Sequence, residues 1–233
     1  MAIDEIDLTE SSVGVGHTPM RLLETSPGAA TRLLASGVRR HYGREQVVFN
    51  QGDEGRSVHI VLSGRFAIEV ESLDGDPVTL DLLSAGEAFG VLTHLTGEPF
   101  RSVSVIALTG GETLMIPAER FDAIRRELPE IDRTLSTILA ARLTAAHRRI
   151  LELAQVPAPR RVIRILSRLA RLFDAGGEPV TIPLSQSRLA GMAGTSRDTV
   201  NRTLARAERE GWLLARRQKI VILDAARLVG RAR

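Results

Sequence analysis

The chain has 233 residues, 43% hydrophobic and 25% charged, enough for one large domain or two ordinary ones with buried cores. It contains no cysteine, which excludes disulfides, thiolate zinc sites, Cys-ligated iron–sulfur clusters and a cysteine nucleophile. The net charge is only +3, yet residues 1–156 carry 15 Arg against 22 acidic residues, while residues 157–233 carry 16 Lys+Arg against 6. Such an asymmetry suits either a nucleic-acid-binding module on an acidic partner domain or an Arg-rich solvated surface.

Residues 1–25 read as a flexible N-terminal tail. The opening "MAIDEIDLTESSVGVGHT" lacks the basic start and apolar core of a signal peptide, and no run of about 18 apolar residues follows. A cytoplasmic protein with no membrane contact is the expectation. From 26 to 117 short apolar runs are cut by glycines, as in "SVHIVLSGRFAIEVES" and "RSVSVIALTGGETLMIP". These predict an antiparallel β-sandwich or barrel, with "LDGD" at 73–76 as a hairpin turn.

At 118 the period changes. Phe121, Ile124, Leu128, Ile131, Leu135, Ile138, Leu139, Leu143, Ala146, Ile150 and Leu153 follow one another mostly three or four residues apart, as along an amphipathic helix. Pro129 should break or offset its early part. A helix over 118–156 is too long to bury its whole stripe on a small barrel, so its later half predicts a partner chain. "VPAP" at 156–159 reads as a hinge, where the charge balance also switches. Beyond it come a helix over 160–173, a strand "VTIPL", two helices separated by Gly194, and two strands "WLLA" and "KIVIL". That order spells a winged helix-turn-helix over 157–233.

Within it Ser185 and Ser196 are the expected helix N-caps. Val200, Leu204 and Ala207 face one way, while Arg197, Asp198, Asn201 and Arg202 share another face near the helix start. That second face suits a recognition helix in a major groove, where Arg can donate twice to guanine and a carboxylate can accept from cytosine. Arg206 and Arg209 lie later in the helix, where phosphate contact, solvation or pairing with Glu208 and Glu210 compete. Gly-rich phosphate loops, zinc-spaced His clusters and nucleophile elbows are missing from the sequence, so neither catalytic nor metal-ligating residues are assigned.

"LSQSRLAGMAGTSRDTVNRTLARAEREGWL" resembles the helix-turn-helix of the CRP/FNR family of bacterial transcription regulators, whose recognition helix reads S-R-E-T-V-x-R. The barrel and long central helix fit the same family over roughly residues 30–225. The resemblance implies an α+β fold in which a jelly-roll, cyclic-nucleotide-binding-like β-barrel (26–117) is joined by a dimerisation helix (118–156) to a winged helix-turn-helix. It implies a homodimer that binds palindromic double-stranded DNA and works with RNA polymerase. Arg197, Asp198 and Arg202 would read bases, with Ser185, Ser196, Thr199, Asn201 and Arg206 also on the DNA side. Asp198 stands where the family usually has Glu.

The family's phosphate-binding cassette, "F-G-E-L…R-S-A", is matched by "AFGVLTHLTGEPFRSVSV". Gly90, Arg101 and Ser102 correspond, and the resemblance places Leu92 beside them. Val91 replaces the Glu that would hold a ribose hydroxyl, and Ala146-His147 stand where cyclic-AMP binders have Thr-Ser. These residues outline an effector pocket whose phosphate end is retained in part and whose ribose and base ends are not. A cyclic nucleotide, another small ligand or no ligand at all remain open as cofactor, as does Arg101 in a plain ion pair with Glu87 or Glu98. His17, His41, His59, His94 and His147 keep a haem-dependent gas sensor as an alternative, and a signalling adaptor that binds no DNA is the other.

Overall fold

The computed structural model describes residues 21–72, 75, 77–174 and 179–232. Most of the expected tail and of the "LDGD" turn lies outside these residues. Residues 21–25 differ from the tail expectation: Leu22–Glu24 form a 3-10 turn, and Leu22 is fully buried. The 3-10 turn is tied down because the Thr25 hydroxyl lies within hydrogen-bond distance of the Leu22 carbonyl, at 2.9 Å, and of the Thr134 hydroxyl, at 3.0 Å.

Helix α1 (Pro27–Ser36) opens the domain with Ser26 as its N-cap. Eight strands follow: β1 (Val38–Tyr42), β2 (Val47–Phe49), β3 (Ser57–Ser63), β4 (Phe66–Glu71), β5 (Pro77–Leu83), β6 (Ala88–Phe89), β7 (Ser104–Ala107) and β8 (Gly111–Pro117). A short helix, α2 (Val91–Thr96), lies between β6 and β7. The strands pair antiparallel as two four-stranded sheets, β1-β8-β3-β6 and β2-β7-β4-β5, so the barrel has jelly-roll form without one continuous ladder.

Strand alternation sorts side chains into separate cores. Between the sheets lie Val61, Phe66, Leu83, Phe89, Val105 and Ala107. The outer face of the first sheet, through Ile60, Leu114 and Ile116, packs on α1 and on the helices that follow β8. On the second sheet, Phe66 and Leu83 point inward while their neighbours Ala67 and Leu82 point outward, into the core of the C-terminal domain.

The predicted long helix is two. Helix α3 (Ala118–Glu127) ends before Pro129, and α4 (Glu130–Gln155) continues for 26 residues. Ile131, Leu135 and Ile138 are buried in the chain's own fold, but Leu143, Ile150 and Leu153 are exposed. The hinge is shorter than "VPAP", since Ala158 and Pro159 already belong to α5 (Ala158–Phe173), with Pro in its first turn. Glu152 near the end of α4 accepts from Arg168 at 2.8 Å and Arg164 at 3.5 Å, bracing the junction.

The C-terminal domain has β9 (Val180–Ile182), α6 (Gln186–Ala193), α7 (Arg197–Arg209), β10 (Leu213–Arg216), β11 (Lys219–Ile222) and α8 (Ala225–Ala232). Its three strands order as β10-β11-β9, antiparallel. Among the described residues no helix is long and apolar enough to cross a membrane.

Candidate nucleic-acid interface

Helix α7 forms because its caps and its buried stripe agree. The Ser196 side chain accepts from the Thr199 amide at 3.2 Å, and Ser185 caps α6 by accepting from the Arg188 amide at 3.2 Å. Between the helices Gly194 adopts φ 55°, a backbone conformation that a side chain disfavours. Val200, Leu204 and Ala207 are at most 1% exposed and fix α7 on the domain.

The opposite face is free. Ser196, Arg197, Asp198, Asn201, Arg202 and Arg206 are exposed and Thr199 is half-buried. The structure therefore brings the sequence-derived set to one surface, with Ser185 at the start of the neighbouring helix. Asp198 Oδ2 and Arg202 Nη1 lie 2.7 Å apart, an exposed i,i+4 pair. Exposed pairs of this kind contribute only about 0.3–0.5 kcal/mol, so Arg202 is easily released to another acceptor. Arg206 donates to Glu210 at 3.0 Å. That bond, with those from Trp212 Nε1 and the charge of Arg231, holds the Glu210 carboxyl below its ordinary range. Arg209 donates to the Ala205 carbonyl in its own helix.

Sequence reasoning passed over the turn between β10 and β11. Arg217 and Lys219 are exposed there, and Arg216 pairs with Glu208 at 3.1 Å. The basic "RRQK" between two short apolar runs was the available signal.

The pocket residues separate. Arg101 is 3% exposed; it donates to the Gly90 carbonyl at 3.1 Å and to the Ser57 carbonyl and hydroxyl at 2.6 and 3.1 Å. Its guanidinium also lies 4.2 Å above the Phe49 ring. Burial lowers its pKa, and the charge of Asp53 works against that. Next to it His59 stacks on Phe89 at 4.9 Å, with its two ring nitrogens on Ser57 and Thr113. Val91 is buried in the other core, which α1, α3 and α4 share, and not between the sheets. Leu92, Ser102, Ala146 and His147 are exposed.

Cyclic AMP is therefore a poor fit to the residues present. The phosphate-end arginine is engaged with backbone and an aromatic face, the ribose-end position offers no acceptor, and His59, Phe49 and Phe89 occupy the space between the sheets. Of the histidines considered for haem, His94 pairs with Asp122 at 2.8 Å and His59 is buried, while His41, 3.8 Å from Glu112, and His147 are exposed and His17 lies outside the described residues.

Burial, with the charges of Arg101 and Arg40, pushes the His59 pKa down from 6.5 to about 3. The native state thus binds fewer protons than the unfolded chain between these values. The stability His59 contributes is complete above pH 6.5 and is lost as pH falls toward 3, by up to about 5 kcal/mol. Urea titrations across that window should give a shallower pH slope for His59→Gln than for the wild type.

The geometry of a capped, packed helix with an exposed Arg-Asp-Asn-Arg face agrees with comparisons across most of the chain. Residues 39–127 match the cyclic nucleotide-binding domain model, and residues 160–231 match the Crp-like helix-turn-helix domain model. The CRP-like cAMP-activated global transcriptional regulator of Mycobacterium tuberculosis is 32% identical over 198 residues, 82% of this chain and 87% of that protein. The chain belongs to the CRP/FNR family. The cyclic AMP receptor protein of Thermus thermophilus is 35% identical over 74% of this chain and 78% of its own length. Among solved structures of the family, the c-di-GMP responsive global regulator CLP of Xanthomonas campestris has a TM-score of 0.74 and 27% identity. It is covered along 100% of its length by 85% of this chain. The cyclic nucleotide-binding domain match thus precedes the helix-turn-helix match along the chain.

Proposed function

We propose that this CRP/FNR protein is a sequence-specific transcription regulator acting as a homodimer on palindromic DNA. The single observation that carries this is the exposed Arg197-Asp198-Asn201-Arg202 face on a helix whose other side is packed. Two such helices, one per protomer, would enter successive major grooves about 34 Å apart. Arg197 and Arg202 would donate to guanine O6 and N7, and Asp198 would accept from cytosine N4. Arg206, already balanced by Glu210, would serve the backbone.

The barrel acts in this reading as a sensor domain whose effector is not cyclic AMP. Val91 and the internally satisfied Arg101 support that distinction. The reading is tested with genomic fragments in gel shifts of the full chain. Selective retardation of a few fragments without added cyclic AMP, and no change in the protein's Tm when it is added, is the expected result. Uniform retardation of all fragments would leave only non-specific charge attraction, and an adaptor role would then replace the regulator.

A further inference from the structure

Helix α6 lies on the sensor domain. Arg188, its side chain mostly buried, projects between two carboxylates, one in the β1–β2 turn and one on β4. Its Nε donates to Glu69 Oε1 at 2.7 Å, and its Nη1 donates to Glu45 Oε1 and Oε2, each at 3.0 Å. Glu69, on β4, is 2% exposed and also accepts from Thr79 at 3.0 Å. Burial works against the charge on Arg188, and the two carboxylates outweigh it, raising its pKa.

Three further observations meet at this contact. One turn along α6, Gly191 lies so close to β5 that a Cβ there would stand 2.5 Å from the Pro77 carbonyl oxygen. Arg44, beside Glu45 in the β1–β2 turn, donates to the Pro183 carbonyl at 3.3 Å, ahead of α6, and to the Gln218 carbonyl at 3.1 Å, in the β10–β11 turn. Glu45 itself has φ 64° and is the one non-glycine residue among those described with positive φ. Strain of this kind is kept where surrounding contacts impose it, and it gathers at switch regions.

We propose that Arg188 latches the DNA-binding domain to the sensor domain, and that the protein binds DNA tightly after this latch opens. This rests on the DNA-binding reading above. In a helix-turn-helix the helix preceding the recognition helix crosses the DNA backbone, and the wing flanks it. The latch places the β1–β2 turn at the start of α6 and at the tip of the wing. A phosphate strand there would meet the half-exposed carboxylate of Glu45. It also fixes the direction of α7, so two heads in a dimer cannot adjust to groove spacing. The free face of α7 is not covered; the latch acts on its placement and on the charge beside it. Since apparent affinity scales with the fraction of open molecules, weakening the latch should tighten DNA binding.

The test uses the full chain with Glu45→Gly, which removes one carboxylate and relieves the positive φ, and separately Glu69→Gln. Glu71→Gln, an exposed carboxylate two residues along β4, controls for net charge. Hydrogen exchange over residues 77–83 and 186–193 reads the docking, and fluorescence anisotropy on a retained fragment reads affinity. Expected are faster exchange in both segments and a DNA Kd lower by about threefold or more for each latch variant, with Glu71→Gln near wild type. Unchanged exchange overturns the proposal, and so does faster exchange with unaltered or weaker DNA binding. Loss of all DNA binding in every protein, with exchange still accelerated, would overturn the DNA-binding reading and leave the docking contact in place.

Discussion

Arg202→Ala should weaken binding to a matched site by about 1–3 kcal/mol, roughly five- to 150-fold, while the fold keeps its stability to within a few tenths of a kcal/mol. The two halves of this expectation come from opposite faces of α7. Arg202 is 72% exposed at its side chain, and its partner Asp198 is equally open, so little holds it in the free protein. The helix is held by Val200, Leu204 and Ala207 and by the Ser196 cap, which the substitution leaves alone. Anisotropy on a matched site and on sites substituted one base pair at a time separates the outcomes. Loss of discrimination at one position marks base readout. An equal loss on every site, with a salt slope lower by about one, marks a phosphate contact instead. Arg209→Ala is the comparison, with an effect several-fold smaller. Its guanidinium is already turned to the Ala205 carbonyl at the far end of the helix.

The helix-turn-helix was legible because its signals are local. Serine caps, a glycine between helices and an apolar stripe three and four residues apart each sit within about 25 residues and agree with one another. The break at Pro129 was legible for the same reason. Helix α8 was overlooked although Asp224 caps it, its Oδ1 accepting from the Arg227 amide at 2.8 Å. Leu228 alone carries its buried side in so short a sequence, too little for a periodic pattern. At the pocket, Val91 signalled a missing acceptor. No sequence pattern could reveal that it faces the helices, or that Arg101 spends its donors on carbonyls of Ser57 and Gly90. The seating of α6 on β4 and β5 was least legible. Ala67, Glu69 and Leu82 look like the outer face of an ordinary strand pair until residues over 100 positions away cover them. An acid at Glu69 in a strand reads as solvent-facing, yet it is buried because Arg188 neutralises it there.

Ile150→Glu should convert the protein to monomers and reduce operator affinity by about two orders of magnitude or more, without unfolding the sensor domain. Leu139, Leu143, Ala146, Ile150 and Leu153 step by four, three, four and three along α4, the spacing of a coiled-coil seam. Ile150 is 63% exposed and Leu143 58% in the single chain, a wasteful arrangement unless another surface covers them. Burying each such side chain contributes about 1.5–3 kcal/mol, and a seam uses every one twice. A glutamate at 150 removes that gain and sets two carboxylates facing each other across the axis. The choice of residue matters. Leu135 and Ile138 lie in the same stripe but are buried in the chain's own core, so a charge there would unfold the domain and report nothing about pairing. Leu153 lies against Gly194 at the turn between α6 and α7, so a change there would disturb the DNA-binding helices directly. Ile150 avoids both. Light scattering after size exclusion gives the mass, and urea unfolding of the monomer checks the fold. A variant that stays dimeric with wild-type affinity would show that this stripe is not the seam. A monomer that keeps full affinity would show that one recognition helix suffices, because pairing otherwise supplies the second half-site at high effective concentration.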